Sequence, residues 1–216
     1  QIFSKLVIAK DRAIVSEDSK NFLDRVIVSA HRMQQLIDDL ISYSRTSSIS
    51  KISYIPTDMN MLIDEALVDL EEVIEAEKPH IEVDDLPVLA VLPSQFRQLF
   101  VNLISNAIKY RNTSERPQIK ISGDHAKPEE LETFNSKAGQ DYYKITVSDN
   151  GIGFLPEYSE KIFEPFQRLH DKDEYSGTGI GLAICKKIML NHNGCIRAES
   201  TPGKGSTFLI YTPWAN

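Results

Sequence analysis

Cysteine, long apolar runs and excess positive charge are all scarce in this sequence. The two cysteines, Cys185 and Cys195, are too few for the disulfide framework of a small secreted domain and lack metal-ligand spacing, so a reducing compartment fits best. No run of about 18 apolar residues is present, so no segment is expected to span a bilayer, and no signal-peptide pattern is found. The formal charge of -7 argues against a nucleic-acid partner, because phosphate contacts need a local excess of lysine and arginine. Together these absences favour a cytoplasmic location.

What is present is the composition of a globular protein. The 216 residues are 41% hydrophobic and 25% charged, which allows one domain of ordinary size with a helical appendage. The chain starts with Gln1 inside an apolar segment that has no capping residue, so we interpret it as a piece of a longer protein.

A helical pattern runs from Phe22 to Ser44. Apolar or small residues recur there at alternating steps of three and four, with polar residues between most of them. This spacing is typical of a coiled-coil seam, although an ordinary amphipathic helix packed on its own domain would show it too. The seam consists of Leu23, Val26, Ala30, Met33, Ile37, Leu40 and Ser44.

Beyond residue 57, helices alternate with short strands. Helices are predicted at residues 58–76, with Asp58 as the cap, at 93–110 and at about 179–191. Strands are predicted at 80–83, 88–91, 117–122, 142–147, 195–199 and 207–211, with a long hairpin connection at 123–141. Helices followed by a run of strands indicate an α+β sandwich with helices covering one face of the sheet.

The helix that ends at Tyr110 carries a polar stripe. Asn102 and Asn106 are four residues apart and Lys109 is three further on, so all three lie on one face. An amide oxygen can ligate Mg²⁺ without adding negative charge near phosphates, and the ammonium group balances the phosphate charge. The alternative is a solvated face with an incidental pair of asparagines.

A second motif, Asp149-Asn150-Gly151-Ile152-Gly153, follows directly after a predicted strand. A carboxylate at that position can accept a hydrogen bond from an exocyclic amine such as that of adenine, and the glycines let the backbone turn tightly beside a ligand. A plain Asp-Asn-Gly turn would have the same sequence.

A third motif, Gly177-Thr178-Gly179-Ile180-Gly181-Leu182, opens the last predicted helix. Free N–H groups at a helix start, aided by the helix dipole, favour an anion such as phosphate. Between the second and third motifs lie Phe163 and Phe166, followed by a polar run ending at Gly177, which together predict a hinge and a mobile lid at residues 167–177.

These four segments, in this order and at these separations, resemble the N, G1, F and G2 boxes of the histidine-kinase ATPase domain. That domain belongs to the superfamily that includes type II topoisomerases, heat-shock chaperone ATPases and mismatch-repair ATPases. The resemblance extends over roughly residues 58–213, and residues 32–45 are similar to the second dimerisation helix of the same kinases. It implies a Bergerat-type fold, a mixed sheet covered by helices on one face, at residues 58–216. A partial dimerisation hairpin at 1–46 and a linker at 47–57 would precede it.

The resemblance also implies ATP and Mg²⁺ as cofactors. Asn106 corresponds to the Mg²⁺-ligating asparagine, Lys109 to a phosphate-contacting residue and Asp149 to the aspartate that recognises adenine. The other ATP-binding residues that the resemblance implies are Asn102, Tyr110, Gly151, Gly153, Phe166, Arg168, Gly177, Thr178, Gly179, Gly181, Leu182 and Thr207.

One family feature has no counterpart in this sequence. The acceptor histidine, followed by an acid and a Pro-Leu-Arg-like stretch, is missing, and His31 falls on the second helix, where a surface or interface position is expected. His80, His125 and His192 are expected to be structural or solvated. We therefore do not expect this chain alone to phosphorylate itself.

The implied function is the ATP-binding kinase domain of a two-component sensor histidine kinase. Such a protein dimerises through the hairpin and passes the γ-phosphate of ATP to a histidine, and then to an aspartate of a response-regulator partner. An anti-sigma-type serine kinase is a rival, but it normally lacks the hairpin. A non-catalytic module that binds nucleotide and dimerises is a second rival, although intact Asn106, Lys109 and Asp149 argue against lost ATP binding.

Overall fold

A mixed five-stranded sheet organises the part of the chain that the structure describes. The computed structural model describes residues 53–132, 134, 140–169 and 177–214, together with scattered helical positions between 22 and 41. The strands are β1 (Ile55–Asp58), β2 (His80–Val83), β3 (Val88–Val91), β4 (Gln118–His125), β5 (Asp141–Asp149), β6 (Cys195–Thr201) and β7 (Gly205–Trp214). The large sheet has the order β2-β4-β5-β7-β6, in which only β2 and β4 are parallel, while β1 and β3 form a separate antiparallel pair.

Within the described residues from 53 onward, five α-helices accompany these strands. They are α1 (Met59–Asp69), α2 (Glu71–Glu77), α3 (Pro93–Lys109), α4 (Pro128–Leu131) and α5 (Gly181–Asn191). Asp58 caps α1 as predicted, since its carboxylate accepts hydrogen bonds from the backbone N–H groups of Asn60 and Met61. The prediction of one helix through residue 76 was wrong. The N–H of Leu70 bonds to the carbonyl of Leu67, three residues back, and this tightened turn ends α1.

The main core lies between the sheet and one layer of helices, which confirms the predicted α+β sandwich. Helix α3 contributes most to it, because its apolar residues recur at helical spacing and turn one face to the sheet. The buried residues of α3 are Phe96, Leu99, Phe100, Leu103, Ile104, Ala107 and Ile108. Helices α1 and α5 pack on either side of α3, so that its polar stripe faces outward beside the start of α5.

Buried His192 ties the far ends of α3 and α5 together. Its Nε2 accepts from the N–H of Leu92 at 3.0 Å, while Nδ1 donates to the carbonyl of Ile188 at 2.7 Å. The ring packs edge-on against Phe96 and Tyr54, and burial lowers the pKa of His192. His192 is thus structural, as the sequence predicted, and it holds in register the two helices that carry the polar stripe and the glycine-rich motif.

The connection between β4 and β5 covers part of the opposite face of the sheet. Glu130 of α4 accepts hydrogen bonds from Lys144 at 2.7 Å and from Tyr211 at 3.3 Å, and Phe134 packs on the ring of Tyr142. Burial opposes ionisation of Glu130, but these bonds outweigh it and lower the pKa of Glu130. The predicted plain hairpin connection at 123–141 therefore begins with three further residues of β4 and contains a short helix.

Strand β1 lies partly in the stretch that was predicted to be linker. It pairs with β3 in antiparallel register, Pro56 opposite Ala90, and Thr57 is buried. A strand of four residues that contains a proline gives little periodic signal, which explains why the sequence did not reveal it.

Every described position between 22 and 41 is helical, in agreement with the predicted helix there. Val26, Met33, Ile37 and Leu40 of the seam are each more than half exposed, whereas Leu36 packs against the core. Ser44 and residues 1–21 lie outside the described residues. Among the helices that are described, none is long and apolar enough to cross a membrane.

Candidate nucleotide-binding site

Asp149 lies at the end of the central strand, β5, where the chain leaves the sheet. Its Oδ1 accepts hydrogen bonds from the N–H of Gly151 at 2.8 Å and of Ser206 at 3.2 Å. Burial raises the pKa of Asp149 to about 6, and these two hydrogen bonds only partly offset that rise. Both bonds go to one oxygen, so within the described residues Oδ2 is the acceptor left for a ligand.

An apolar pocket opens above this carboxylate. Asn106 and Tyr110 of α3 line one side of it, and Gly153 and Arg168 line it from the loops that follow β5. The sequence did not predict its other lining residues, which are Ile152, Phe154, Ile162, Gln167, Leu169, Ser206 and Phe208. Five of these seven residues are apolar and of types that are ordinary in a core, so the sequence offered no signal that separates pocket wall from core. A carboxylate at the floor of an apolar slot is suited to a flat, amine-bearing base.

A wider cleft of about 450 Å³ continues from this pocket along α3. Asn102, Asn106 and Lys109 all line it, as their spacing predicts, opposite Gly177, Thr178, Gly179, Gly181 and Leu182. The two asparagines differ in their partners. Asn102 donates to the carbonyl of Gly181 at 3.2 Å and accepts from Gln98 at 3.2 Å, which joins α3 to the start of α5. In the described part of the chain, the amide of Asn106 bonds to no other side chain or backbone group.

Lys109 brings positive charge into the wide cleft. Its ammonium donates to the hydroxyl of Tyr110 at 2.8 Å and lies 4.3 Å from the centre of that ring. A Cβ atom added at Gly177 would lie 2.6 Å from this ammonium, so glycine leaves the space that the lysine occupies. The cation is therefore held at the point where the polar stripe meets the glycine-rich motif.

The start of α5 faces the same cleft. The helix begins at Gly181, two residues later than predicted, and has neither a side-chain cap nor an acidic residue in its first turn. Its first N–H groups and the positive end of its dipole therefore favour an anion. Gly179 has a φ of +77°, and its carbonyl accepts from the N–H of Phe166 at 3.0 Å, which closes the base of the predicted lid.

Arg168 also belongs to the base of the predicted lid, since its guanidinium donates to the carbonyl of Gly177 at 3.1 Å. Residues 170–176, the larger part of that lid, lie outside the described residues.

Three predicted site residues do not line either cavity. Gly151 supports the site indirectly through its hydrogen bond to Asp149, and Thr207 lies 3.1 Å from the hydroxyl of Ser148. Phe166 is 61% exposed and has a φ of +65°. The neighbour of Thr207, Ser206, is the residue that reaches Asp149, and it does so through its backbone N–H.

The donors fit a divalent cation that is bound together with phosphate. No group of three or more histidine, cysteine, aspartate or glutamate side chains that could hold a metal occurs among the described residues. Asn106 supplies one neutral oxygen, and Mg²⁺ typically takes few protein ligands and completes its shell with phosphate oxygens and water. The cleft therefore suits a metal-nucleotide complex better than a metal ion alone.

The family comparison agrees with this geometry. A model described as histidine kinase-, DNA gyrase B-, and HSP90-like ATPase matches residues 92–216. The chain is 40% identical over 203 residues to phytochrome-like protein Cph1 of Synechocystis sp., which covers 94% of this chain and 25% of that protein. It thus spans about a quarter of the length of this relative.

Solved structures share the fold. The catalytic domain of histidine kinase ThkA is 27% identical, with a TM-score of 0.58, covering 75% of this chain and 96% of that one. ThkA in complex with the response regulator protein TrrA matches with a TM-score of 0.65 at 22% identity, covering 98% of this chain and 58% of that one. Full-length ShkA in complex with AMPPNP matches with a TM-score of 0.68 at 19% identity, covering 99% of this chain and 42% of that one.

The family model covers more than half of the chain, and its ATPase class accounts for the carboxylate, amide, lysine and glycines that meet in the cleft. The chain therefore belongs to the histidine kinase-, DNA gyrase B- and HSP90-like ATPase family, and its ATPase domain is of the histidine kinase type.

Proposed function

We propose that the cleft binds Mg²⁺-ATP and that the chain is the kinase part of a two-component sensor. The γ-phosphate would pass to a histidine outside this chain and then to an aspartate of a response regulator. The observation that carries the proposal is the continuity of the two cavities. The Asp149 carboxylate, whose Oδ2 is open to a ligand, lies at the floor of the apolar pocket. The adjoining wide cleft is lined by Asn106, Lys109 and the uncapped start of α5.

Each part of the cleft then has a task. Asp149 accepts from the adenine amine, while the N–H groups of Gly151 and Ser206 fix the orientation of its carboxylate. The ring of Tyr110 borders the base, and Lys109 offsets phosphate charge. Phosphoryl transfer depends mainly on positioning and on neutralising charge, and these are what the residues supply.

Asn106 would ligate the Mg²⁺ ion that accompanies the nucleotide. The ion supplies charge neutralisation at the phosphates when it is bound. Gly177, Thr178, Gly179, Gly181 and Leu182 would surround the phosphates, with Asn102 holding the start of α5 in place. Arg168 would contact the nucleotide from the base of the lid, and Gly153, Phe166 and Thr207 would shape or support the site.

Partners follow from the same proposal. The exposed seam of Val26, Met33, Ile37 and Leu40 offers an apolar stripe to a second copy of the hairpin, which favours a homodimer over packing on the chain's own domain. The complex of ThkA with TrrA supports a response-regulator receiver domain as the other partner. ATP is an intracellular reactant, so the domain would act in the cytoplasm.

We predict that Asn106→Ala weakens ATP binding chiefly when Mg²⁺ is present. The substitution removes an amide that bonds to no other described residue, so the fold should be unaffected, and about a tenfold loss of affinity corresponds to one lost ligand interaction. Titration with a fluorescent ATP analogue in Mg²⁺ and in EDTA measures both values. Asn102→Ala is the matched control, because its amide joins α3 to α5 and its loss should lower stability and affinity in both buffers.

A loss of equal size in Mg²⁺ and in EDTA would rule out Asn106 as the metal ligand. Absence of saturable binding by the wild-type chain across a broad titration would rule out nucleotide binding altogether.

A further inference from the structure

An ion pair between Glu77 and Arg111 forms part of the wall of the wide cleft. Nη2 of Arg111 lies 2.7 Å from Oε2 of Glu77, at side-chain exposures of 29% and 33%. Nη1 of Arg111 donates to the carbonyl of Ile108 at 3.3 Å. The same two residues also line a neighbouring polar cleft, so the pair separates the two cavities.

The position of Arg111 points to phosphate and not to the base. It follows Lys109 and Tyr110 at the end of α3 and lines the wide cleft, but it does not line the apolar pocket above Asp149. A guanidinium group has five N–H donors in a planar fork that matches phosphate oxygens. Only part of that capacity is used by Glu77 and Ile108.

Glu77 brings negative charge to the wide cleft and therefore opposes phosphate binding. It is the one carboxylate among the described residues that line the wide cleft, where Lys109 and Arg111 are the cations. A carboxylate in that wall repels a triphosphate, and this repulsion is reduced only while a cation is paired with the carboxylate. Arg111 can therefore serve either Glu77 or an incoming nucleotide, and both partners compete for the same donors.

We propose that Arg111 contacts the phosphates of the bound nucleotide and that Glu77 holds this arginine at the cleft wall when the site is empty. This inference rests on the proposed nucleotide binding. Glu77 acts as a built-in competitor, which sets the affinity for nucleotides according to the number of their phosphates.

The test compares Arg111→Gln with Glu77→Gln in titrations with adenosine, ADP and ATP in Mg²⁺. Arg111→Gln should weaken ATP binding by about tenfold, weaken ADP binding less and leave adenosine binding unchanged. Glu77→Gln should tighten ATP binding by about threefold, because it releases the arginine and removes the repelling charge. In the double variant, Glu77→Gln should tighten ATP binding less than it does alone, since it acts in part through Arg111.

A pair that only fastens α2 to α3 would behave differently. Both substitutions break the same ion pair, so both would then lower the melting temperature and shift affinity in the same direction, whatever the number of phosphates. That result overturns the inference, as does wild-type ATP affinity in Arg111→Gln. Absence of ATP binding in the wild-type chain overturns the proposed function itself, and the inference with it.

Discussion

Asp149→Asn is expected to weaken ATP binding by about a hundredfold while stabilising the empty protein. An asparagine oxygen can still accept from the N–H groups of Gly151 and Ser206, so the turn after β5 is retained. The other half of the amide is a donor, however, and it would meet the donating amine of adenine. A buried donor that faces another donor loses its hydrogen bond and keeps the cost of its desolvation.

The expected gain in stability on Asp149→Asn follows from the pKa of the Asp149 carboxyl group. Burial raises the pKa of Asp149 to about 6 from an ordinary value of 3.8. The folded state therefore binds the proton more tightly than the unfolded state, and the ionised carboxylate costs stability at neutral pH. A rise of about two units corresponds to up to about 3 kcal/mol. This cost is absent below pH 3.8, grows as the pH rises to about 6, and stays constant above that.

Urea denaturation at pH 7 and near pH 4 measures this effect. The advantage of Asp149→Asn over wild type should be clear at pH 7 and nearly absent near pH 4. Titration with inosine triphosphate provides the binding control, because its base has a carbonyl in place of the adenine amine. Asp149→Asn should therefore lower the affinity for inosine triphosphate far less than the affinity for ATP. Equal losses of affinity for both triphosphates would mean that Asp149 does not bind the adenine amine.

Among the described glycines with positive φ, Gly205 is the one at which substitution by alanine is expected to destabilise the protein most. Gly205 begins β7 with a φ of +95°, directly against the end of β5. A Cβ atom there would overlap the carbonyl oxygen of Asp149 and lie 2.7 Å from its carbonyl carbon and 2.9 Å from the Cα of Asn150. These are backbone atoms of the sheet, so they cannot move aside as the end of a flexible side chain can. We expect a loss of about 3 to 5 kcal/mol in the free energy of unfolding.

Gly203 provides a matched control only two residues away. Its φ is +75°, but a Cβ atom there would have nothing within 4 Å. Gly203→Ala should therefore show only the cost of placing alanine in a left-handed conformation, about 1 to 2 kcal/mol. Urea denaturation of both variants separates steric overlap from backbone strain. Similar losses in the two variants would show that β5 and β7 are not in the close contact described.

The sequence predicted the parts of the site that need special residue types. Asn106, Lys109 and Asp149 were all expected from their spacing and chemistry, and the fold brings them to two adjoining cavities. The sequence did not predict the apolar walls such as Ile152 and Phe208, because the same apolar residue types line pockets and fill cores. Nor did it separate Asn102 from Asn106, since only the fold shows that Gly181 and Gln98 occupy the first amide.

The fold was predicted best where periodicity is strong. Strands β2 and β3 and helix α3 have close to their expected bounds, since alternation and helical spacing act locally. The break at Leu70 was missed because the tightened turn from Leu67 to Leu70 is made by residue types that are also ordinary within a helix. The strand at Ile55–Asp58 was missed because it depends on pairing with the distant strand β3. The cover formed by Glu130 over Lys144 and Tyr211 is likewise a tertiary contact that no local pattern indicates.

The central claim is that ATP held in this cleft phosphorylates a histidine. The most direct test is incubation of the chain with radiolabelled Mg²⁺-ATP and a separately made dimeric helical hairpin that carries an acceptor histidine. The account predicts acid-labile label on the hairpin, none on the chain alone, and loss of that label with Asp149→Asn. Acid-labile label on the isolated chain, mapped to His31 or His170, would contradict it, as would an unlabelled hairpin that demonstrably binds the ATP-loaded chain.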